Sequence, residues 1–270
     1  MSKSGQFVSF PEGYLGSRSR KFDLIANTDS LFAISKPTGM ACFQHEWSLG
    51  TPDFSMALRR ELLNEKPQLK RLGIEGVFRI YNLDAELSGV LLYAKVESAE
   101  ETLKNAVGSN EVEFTYHFLA NNLSGEREHC CDLPIARHAS EARSLVSHKT
   151  GKKCETHFRY LRSYGFLELW EAKSRYIRPH QARLHAAEVG LSLVGETVYS
   201  KGEQVYLSSL KRGYRGSRER ERPIYDAIAA HLVQVTLPDD DFGVSTITAP
   251  LPGKFSSLLK QLDNVRSRKW

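Results

Sequence analysis

The stretch from Tyr81 to Lys95 constrains this chain more than any other. It carries one aspartate, Asp84, then the small pair Ser88-Gly89, then the apolar run Val90-Leu91-Leu92-Tyr93-Ala94. A continuous apolar run bounded by small residues reads as a buried strand. The chain is therefore expected to fold around an interior strand, with a carboxylate delivered on the loop that precedes it. An aspartate so placed is by default a turn residue, its side chain bonded to nearby backbone. The alternative is a catalytic acid held beside a rigid element, and the spacing alone leaves both open.

The chain has 270 residues, enough for one large or two small domains and for a core that needs no staples. Its 41% hydrophobic and 26% charged content is that of a soluble globular protein. No apolar run approaches the roughly 18 residues of a membrane span. The opening Met1-Ser2-Lys3-Ser4-Gly5-Gln6-Phe7 lacks a signal peptide's apolar core, so the expected location is the cytoplasm. Cys42, Cys130, Cys131 and Cys154 show no C-x-x-C spacing and are expected as reduced thiols, with no metal site. A net charge of +5 admits an anionic partner such as nucleic acid, though many enzymes are equally basic.

Residues 1–20, polar and rich in Ser and Arg, read as a loosely ordered tail or arm. Leu31 to Ser35 is a short strand stopped by Lys36-Pro37-Thr38-Gly39, which places Lys36 at a strand end. Thr51-Pro52 predicts a helix start, with Phe54, Leu58 and Leu62 at helical spacing, and Ser98 to Glu101 resembles a capping box. Val112 to Leu119 alternates as a strand, with Val112, Phe114, Tyr116 and Phe118 on one face. Residues 121–155 are expected as long hairpin connections, followed by a strand pair at Thr156–Leu161 and Phe166–Ala172. A helix opens at Arg178-Pro179 and is closed by Gly190; a strand at His231–Leu237 and a helix at Phe255–Leu262 end the chain. Strands and helices mix without a strict βαβ rhythm and several strand pairs look antiparallel, so the class is α+β, in one domain over 21–265.

His180 and His185 lie five apart, about 140° around a helix, which is not the spacing of a zinc helix. No glycine-rich loop has nucleotide-binding spacing. The segment 205–226 holds Lys211, Arg212, Arg215, Arg218, Arg220 and Arg222, with Tyr206 and Tyr214 among them. It is either a solvated loop or an arm for RNA phosphates, with Arg forking phosphate and Tyr stacking bases.

Six segments, in order from about residue 29 to residue 262, carry a resemblance. They are Leu31–Gly39 ending in Lys-Pro-Thr-Gly, Leu83–Leu92 around Asp84, Tyr116 on its strand, Thr150-Gly151-Lys152 with Thr156, Arg178–His185, and Val194-Gly195-Glu196 with Tyr199. Together they resemble the RluA-type pseudouridine synthases, enzymes that isomerise selected uridines in ribosomal or transfer RNA. The resemblance implies a catalytic domain with a large mixed, mainly antiparallel sheet, flanking helices and a central cleft, and no cofactor. It implies Asp84 as essential carboxylate, Arg183 as its ionic partner and Tyr116 as the aromatic face for the uracil. Lys36, Asn82, Arg178, His180 and Gln181 join the basic segment as expected RNA contacts. The small N-terminal RNA-binding domain that the family often carries is expected to be missing. Three segments depart from the pattern: Tyr81-Asn82 stands for the usual His-Arg, Tyr176-Ile177 for Thr-Gly, and Ile228-Ala229-Ala230 for Leu-His-Ala.

The expected function is thus isomerisation of a uridine in RNA by a monomer that needs no metal or membrane. The alternative is a non-catalytic RNA-binding protein that keeps the fold, as the changed Tyr81-Asn82 pair would allow. An Asp-dependent glycosidase is a third and poorer reading, because no second carboxylate partner is evident.

Overall fold

The computed structural model describes residues 6–211, 213–238 and 242–266. Along the chain run β1 (Phe7–Phe10), β2 (Arg20–Asn27), β3 (Leu31–Lys36), α1 (Phe54–Leu63), α2 (Pro67–Arg71), β4 (Phe78–Arg79), β5 (Ser88–Ala94), α3 (Glu97–Gly108) and β6 (Glu113–Asn122). There follow β7 (Glu128–Cys131), β8 (Ile135–Arg137), β9 (Ser144–Val146), β10 (Thr156–Ser163), β11 (Glu168–Ser174), α4 (Gln181–Glu188), β12 (Leu191–Leu193), α5 (Leu207–Leu210), β13 (Ala230–Thr236), β14 (Thr246–Thr248) and α6 (Gly253–Arg266). The expected α+β class is what folds. One sheet runs in the order β1-β2-β3-β5-β13-β6-β11-β10-β7, and β8 and β9 form a separate hairpin.

The apolar run is the interior strand its composition requires. Every residue of β5 is buried, with β3 antiparallel on one side and β13 parallel on the other. Among the named pairings β5–β13 is the parallel one, and the Ser88-Gly89 pair makes it close. Gly89, at φ +139°, opposes Leu232, and a Cβ there would stand 2.4 Å from the Leu232 carbonyl oxygen. Ser88 Oγ lies 2.7 Å from Nδ1 of buried His231, whose Nε2 reaches the Ala249 carbonyl at 3.2 Å. A carbonyl only accepts, so Nε2 carries the proton and Ser88 donates to Nδ1.

Three expectations need correction. Residues 6–20 are not a loose arm, since β1 pairs with β2 and Val8 and Phe10 are buried; residues 1–5 of the expected tail lie outside the described residues. Phe10 meets Phe22 and Phe54 edge to face at 5.8 and 5.3 Å. A four-residue strand among Ser and Arg has too few alternating positions to stand out from its polar surroundings. The first helix also starts later than Thr51-Pro52. Ala41 N–H donates to the Pro52 carbonyl, which keeps that pair extended, and Asp53 caps α1 by accepting Met56 N–H at 2.9 Å. At α3 the N-cap is Val96, without a side-chain cap, rather than a box at Ser98.

Gly89→Ala is expected to cost about 3 kcal/mol or more, because overpacking and a disfavoured φ act together; urea unfolding measures it. Burial lowers the His231 pKa to about 4, against roughly 6.5 when unfolded. Above pH 6.5 the ring is neutral in both states and its contribution is complete. Below that the unfolded chain gains a proton the fold refuses, so stability falls until about pH 4, by about 3 kcal/mol. His231→Gln is expected to lack that part of the pH profile.

Candidate active site

Asp84 sits on the loop that enters β5, and Lys36 ties this loop to the end of β3. Lys36 is buried, and its Nζ donates to the carbonyls of Met40 at 2.9 Å and Leu87 at 2.6 Å, with Pro37 and Ala85 at 3.1 and 3.4 Å. Desolvation lowers its pKa, which the fields of Cys42, Asp84 and Glu86 oppose. Lys36 therefore spends its donors inside the protein instead of facing RNA. The turn closes through Leu87 N–H to the Asp84 carbonyl at 3.1 Å, while Gly39 N–H holds the Ala85 carbonyl at 2.8 Å.

The N-terminus of α4 meets Asp84 from the opposite side. Its N-cap, His180, adopts a left-handed conformation (φ 56°, ψ 16°), and its N–H donates to Asp84 Oδ1 at 3.2 Å. A non-glycine residue at positive φ stores strain that its surroundings must hold. Here Tyr199 does so: its hydroxyl lies 2.8 Å from His180 Nδ1 and accepts Ser144 N–H at 2.7 Å. The phenol, pushed up to about 12 mainly by burial, stays protonated and shares a hydrogen bond with Nδ1. The helix thus starts at Gln181, and Pro179 precedes the cap instead of opening the helix as the sequence suggests.

Arg183 is brought to Asp84, but its fork is held elsewhere. Nε and Nη2 bond Glu196 at 2.6 and 3.1 Å, and both side chains are buried. Glu196 also accepts Val198 N–H at 2.7 Å, so its charge is well satisfied. Nη1 is left buried without a hydrogen bond, facing Glu86 Oε2 at 3.3 Å and Asp84 Oδ2 at 3.9 Å. Burial pulls the guanidinium pKa down, but the bonds to Glu196 and the fields of Asp84, Glu196 and Glu86 outweigh it and the net direction is up. The expected Asp84–Arg183 pair is thus a contact along one edge of a guanidinium that Glu196 anchors. Glu86 and Glu196 carry signals in sequence only through their place in the Asp84 and Val-Gly-Glu segments.

Asp84 has only 14% of its side chain exposed and lies between two pockets. One is walled by Tyr116, Leu87, Tyr176, Ile177 and Arg178. Burial, then the field of Asp84, raises the Tyr116 pKa and keeps its phenol neutral. Gln181 anchors this wall: its Nε2 reaches Glu155 O, Thr156 Oγ1 and Ser174 Oγ at 3.1, 3.0 and 2.9 Å, and its Oε1 accepts Arg178 N–H. Like Lys36, it is framework. Arg178 donates to the Lys153 carbonyl and stays half-buried at the rim, and exposed Asn82 borders both pockets. The second pocket adds His45, Trp47 and Arg137, which the sequence reading does not include. No periodicity marks them, because they reach the site from a loop and a hairpin distant in sequence.

The basic segment lies apart from Asp84, since none of its described residues lines either pocket. Its ends close through Ile224 N–H to the Val205 carbonyl at 2.9 Å, and Tyr225 stacks on Phe255. Lys211, Arg215, Arg220 and Arg222 are exposed, Arg212 falls outside the described residues, and Arg218 is described only by its place in a 3-10 turn. Among the described residues, Cys130, Glu155 and His157 bring possible metal ligands within 4.8 Å of one another, a trio that lines neither pocket. The four cysteines are free thiols, and no helix among the described residues is long and apolar enough to cross a membrane.

The family model described as RNA pseudouridylate synthase matches residues 30–188, more than half of the chain. The chain belongs to that family. It is 28% identical to ribosomal large subunit pseudouridine synthase D of Nitrosomonas europaea over 179 residues, 66% of this chain and 49% of that protein. It is 26% identical to the uncharacterized RNA pseudouridine synthase slr1629 of Synechocystis sp. over 247 residues, 89% of this chain and 68% of that protein. The chain thus spans about half the length of the first of these relatives. Among solved structures, human RNA pseudouridylate synthase domain containing 4 has the same fold, with a TM-score of 0.66, 18% identity and 89% and 92% of the two chains covered.

Family membership sharpens the Tyr81-Asn82 departure. Tyr81 is buried, donates to the Val90 carbonyl at 2.7 Å and meets Phe114 edge to face at 5.0 Å. It is core, and Asn82 leaves the pocket rim uncharged at that point. Glu196→Ala is expected to cost about 3–5 kcal/mol, because it strands a buried guanidinium. Chemical denaturation measures the loss.

Proposed function

We propose that this protein is an RNA pseudouridine synthase that isomerises a uridine in ribosomal or transfer RNA, with Asp84 as essential carboxylate. The observation that carries the reading is a nearly enclosed carboxylate held from one side by the His180 N–H and faced from the other by a guanidinium edge that it shares with Glu86. The fixed Arg183 cation and the His180 N–H at the start of α4 both present positive charge to the Asp84 carboxylate.

The reaction breaks the bond from C1′ of the ribose to N1 of uracil, turns the base and joins C1′ to C5. The C5 proton is lost and N1 gains one, so the change is an isomerisation without net redox. An ionised Asp84 is suited to it as a nucleophile toward sugar or ring, or as a counter-charge to a developing oxocarbenium ion. Tyr116 offers the extruded base a flat face, and its neutral hydroxyl remains available for a hydrogen bond. A base inside an RNA helix must be flipped out before it can enter, at a few kcal/mol for unstacking. Phosphate contacts offset such a cost, and the exposed cations of the segment 205–226 are suited to them.

Asp84→Asn is expected to lower pseudouridine formation by roughly 10³-fold or more while RNA binding is kept. Tritium release from RNA labelled at uridine C5, with filter binding of the same RNA, measures both. A wild-type protein that binds RNA but releases no tritium favours the binding protein, to which the uncharged Asn82 points.

A further inference from the structure

We infer that Arg79 and Arg137 bind phosphates of the RNA strand flanking the target nucleotide, along an aromatic ledge that leads to Asp84. The inference rests on the synthase reading and adds the route by which the strand enters.

The ledge is the segment that follows β3. A 3-10 turn at Glu46–Ser48, capped by His45, brings Phe43, His45 and Trp47 into a row. Ring centroids are 5.3 Å apart from Phe43 to His45, 6.1 Å from His45 to Trp47 and 5.2 Å from Trp47 to His180. The row therefore ends on the residue whose N–H holds Asp84. A guanidinium covers each outer ring: Arg79 lies 3.8 Å from the Phe43 centroid and Arg137 4.5 Å from that of Trp47. The groove that holds Arg79 and exposed Arg59 shares Phe43 and His45 with the pocket that holds Arg137 and Asp84, so the two form one path.

Arg79 is the informative residue. It is half-buried, its Nε is buried without a hydrogen bond, and no acid among the described residues lies within ion-pair distance. Asp53, which contributes to its field, already accepts the N–H groups of Gln44 and Met56. A guanidinium taken from water without an acceptor is costly, which favours a ligand that brings anionic oxygens. Arg137 pairs with Glu46 at 3.5 Å, but both are exposed, and such a pair exchanges readily for a phosphate. The planar fork matches phosphate, and a guanidinium stacked on a ring is already oriented for it. The family pattern has an arginine beside the carboxylate where this chain has Asn82. Here the positive charge comes from across the pocket instead.

The test uses the full chain and bulk RNA labelled at uridine C5, from cells that lack the gene and so hold the target unmodified. Arg79→Gln and Arg137→Gln are each expected to raise the apparent KM about ten-fold, with kcat within about two-fold. Each should flatten the slope of log KM against log salt by about 0.7, as loss of one phosphate contact on a single strand does. Arg79→Lys, which keeps the charge but loses the fork, should keep the salt slope while recovering only part of the KM. If the wild type releases tritium but both Gln variants keep its KM and salt slope, or lose only kcat, the inference is overturned and the synthase reading stands. A wild type that releases no tritium overturns both.

Discussion

A buried guanidinium cannot be left alone, and the site is arranged around that requirement. Glu196 occupies two nitrogens along one edge of Arg183, and the backbone of the Glu196–Tyr199 turn satisfies Glu196 in return. With that edge closed, the remaining nitrogen faces Asp84 and Glu86. The pair therefore acts less as a contributor to stability than as a fixed source of positive field, since a desolvated ion pair gains little over an apolar pair but fails badly when half is removed. A catalytic carboxylate benefits from a cation that neither moves nor titrates.

The partner half of the site is held by backbone rather than by charge. Lys36 collects carbonyls from both ends of the Asp84 turn, and the Ser88–His231 bond with the close Gly89–Leu232 approach sets β5 against β13. On the other side, His180 keeps a strained conformation because Tyr199 and the start of α4 hold it. The aspartate is thus positioned by two elements far apart in sequence, each fixed by its own buried polar contacts. This is the form of preorganisation that lets a loop residue do chemistry with little rearrangement.

Several residues that a motif reading assigns to RNA belong instead to this framework. Lys36 and Gln181 are buried and fully engaged. Their value to the site lies in keeping a turn and a helix start in place. Arg137 and half-buried Arg178 line the pockets beside Asp84, half-buried Arg79 lines the groove that adjoins them, and the three come from separate parts of the chain. The densest run of arginine, in the segment 205–226, borders neither pocket.

The interior strand, the α+β class and most elements after residue 29 are legible along the chain, whereas Asp84, Tyr116 and Arg183 are legible as one group only through the ordered segments that carry the family resemblance. These are legible because apolar periodicity and ordered motifs are local patterns that survive in one dimension. The Phe7–Phe10 strand was hidden because four residues are too few for a period to emerge. Only the tertiary structure decided that Glu196 holds the Arg183 fork, that Lys36 faces inward, and that Trp47 and Arg137 join the pocket wall. The reason is physical: which partner a long charged side chain finds depends on the desolvation and distance created when remote segments pack, and neither quantity exists along the chain before it folds.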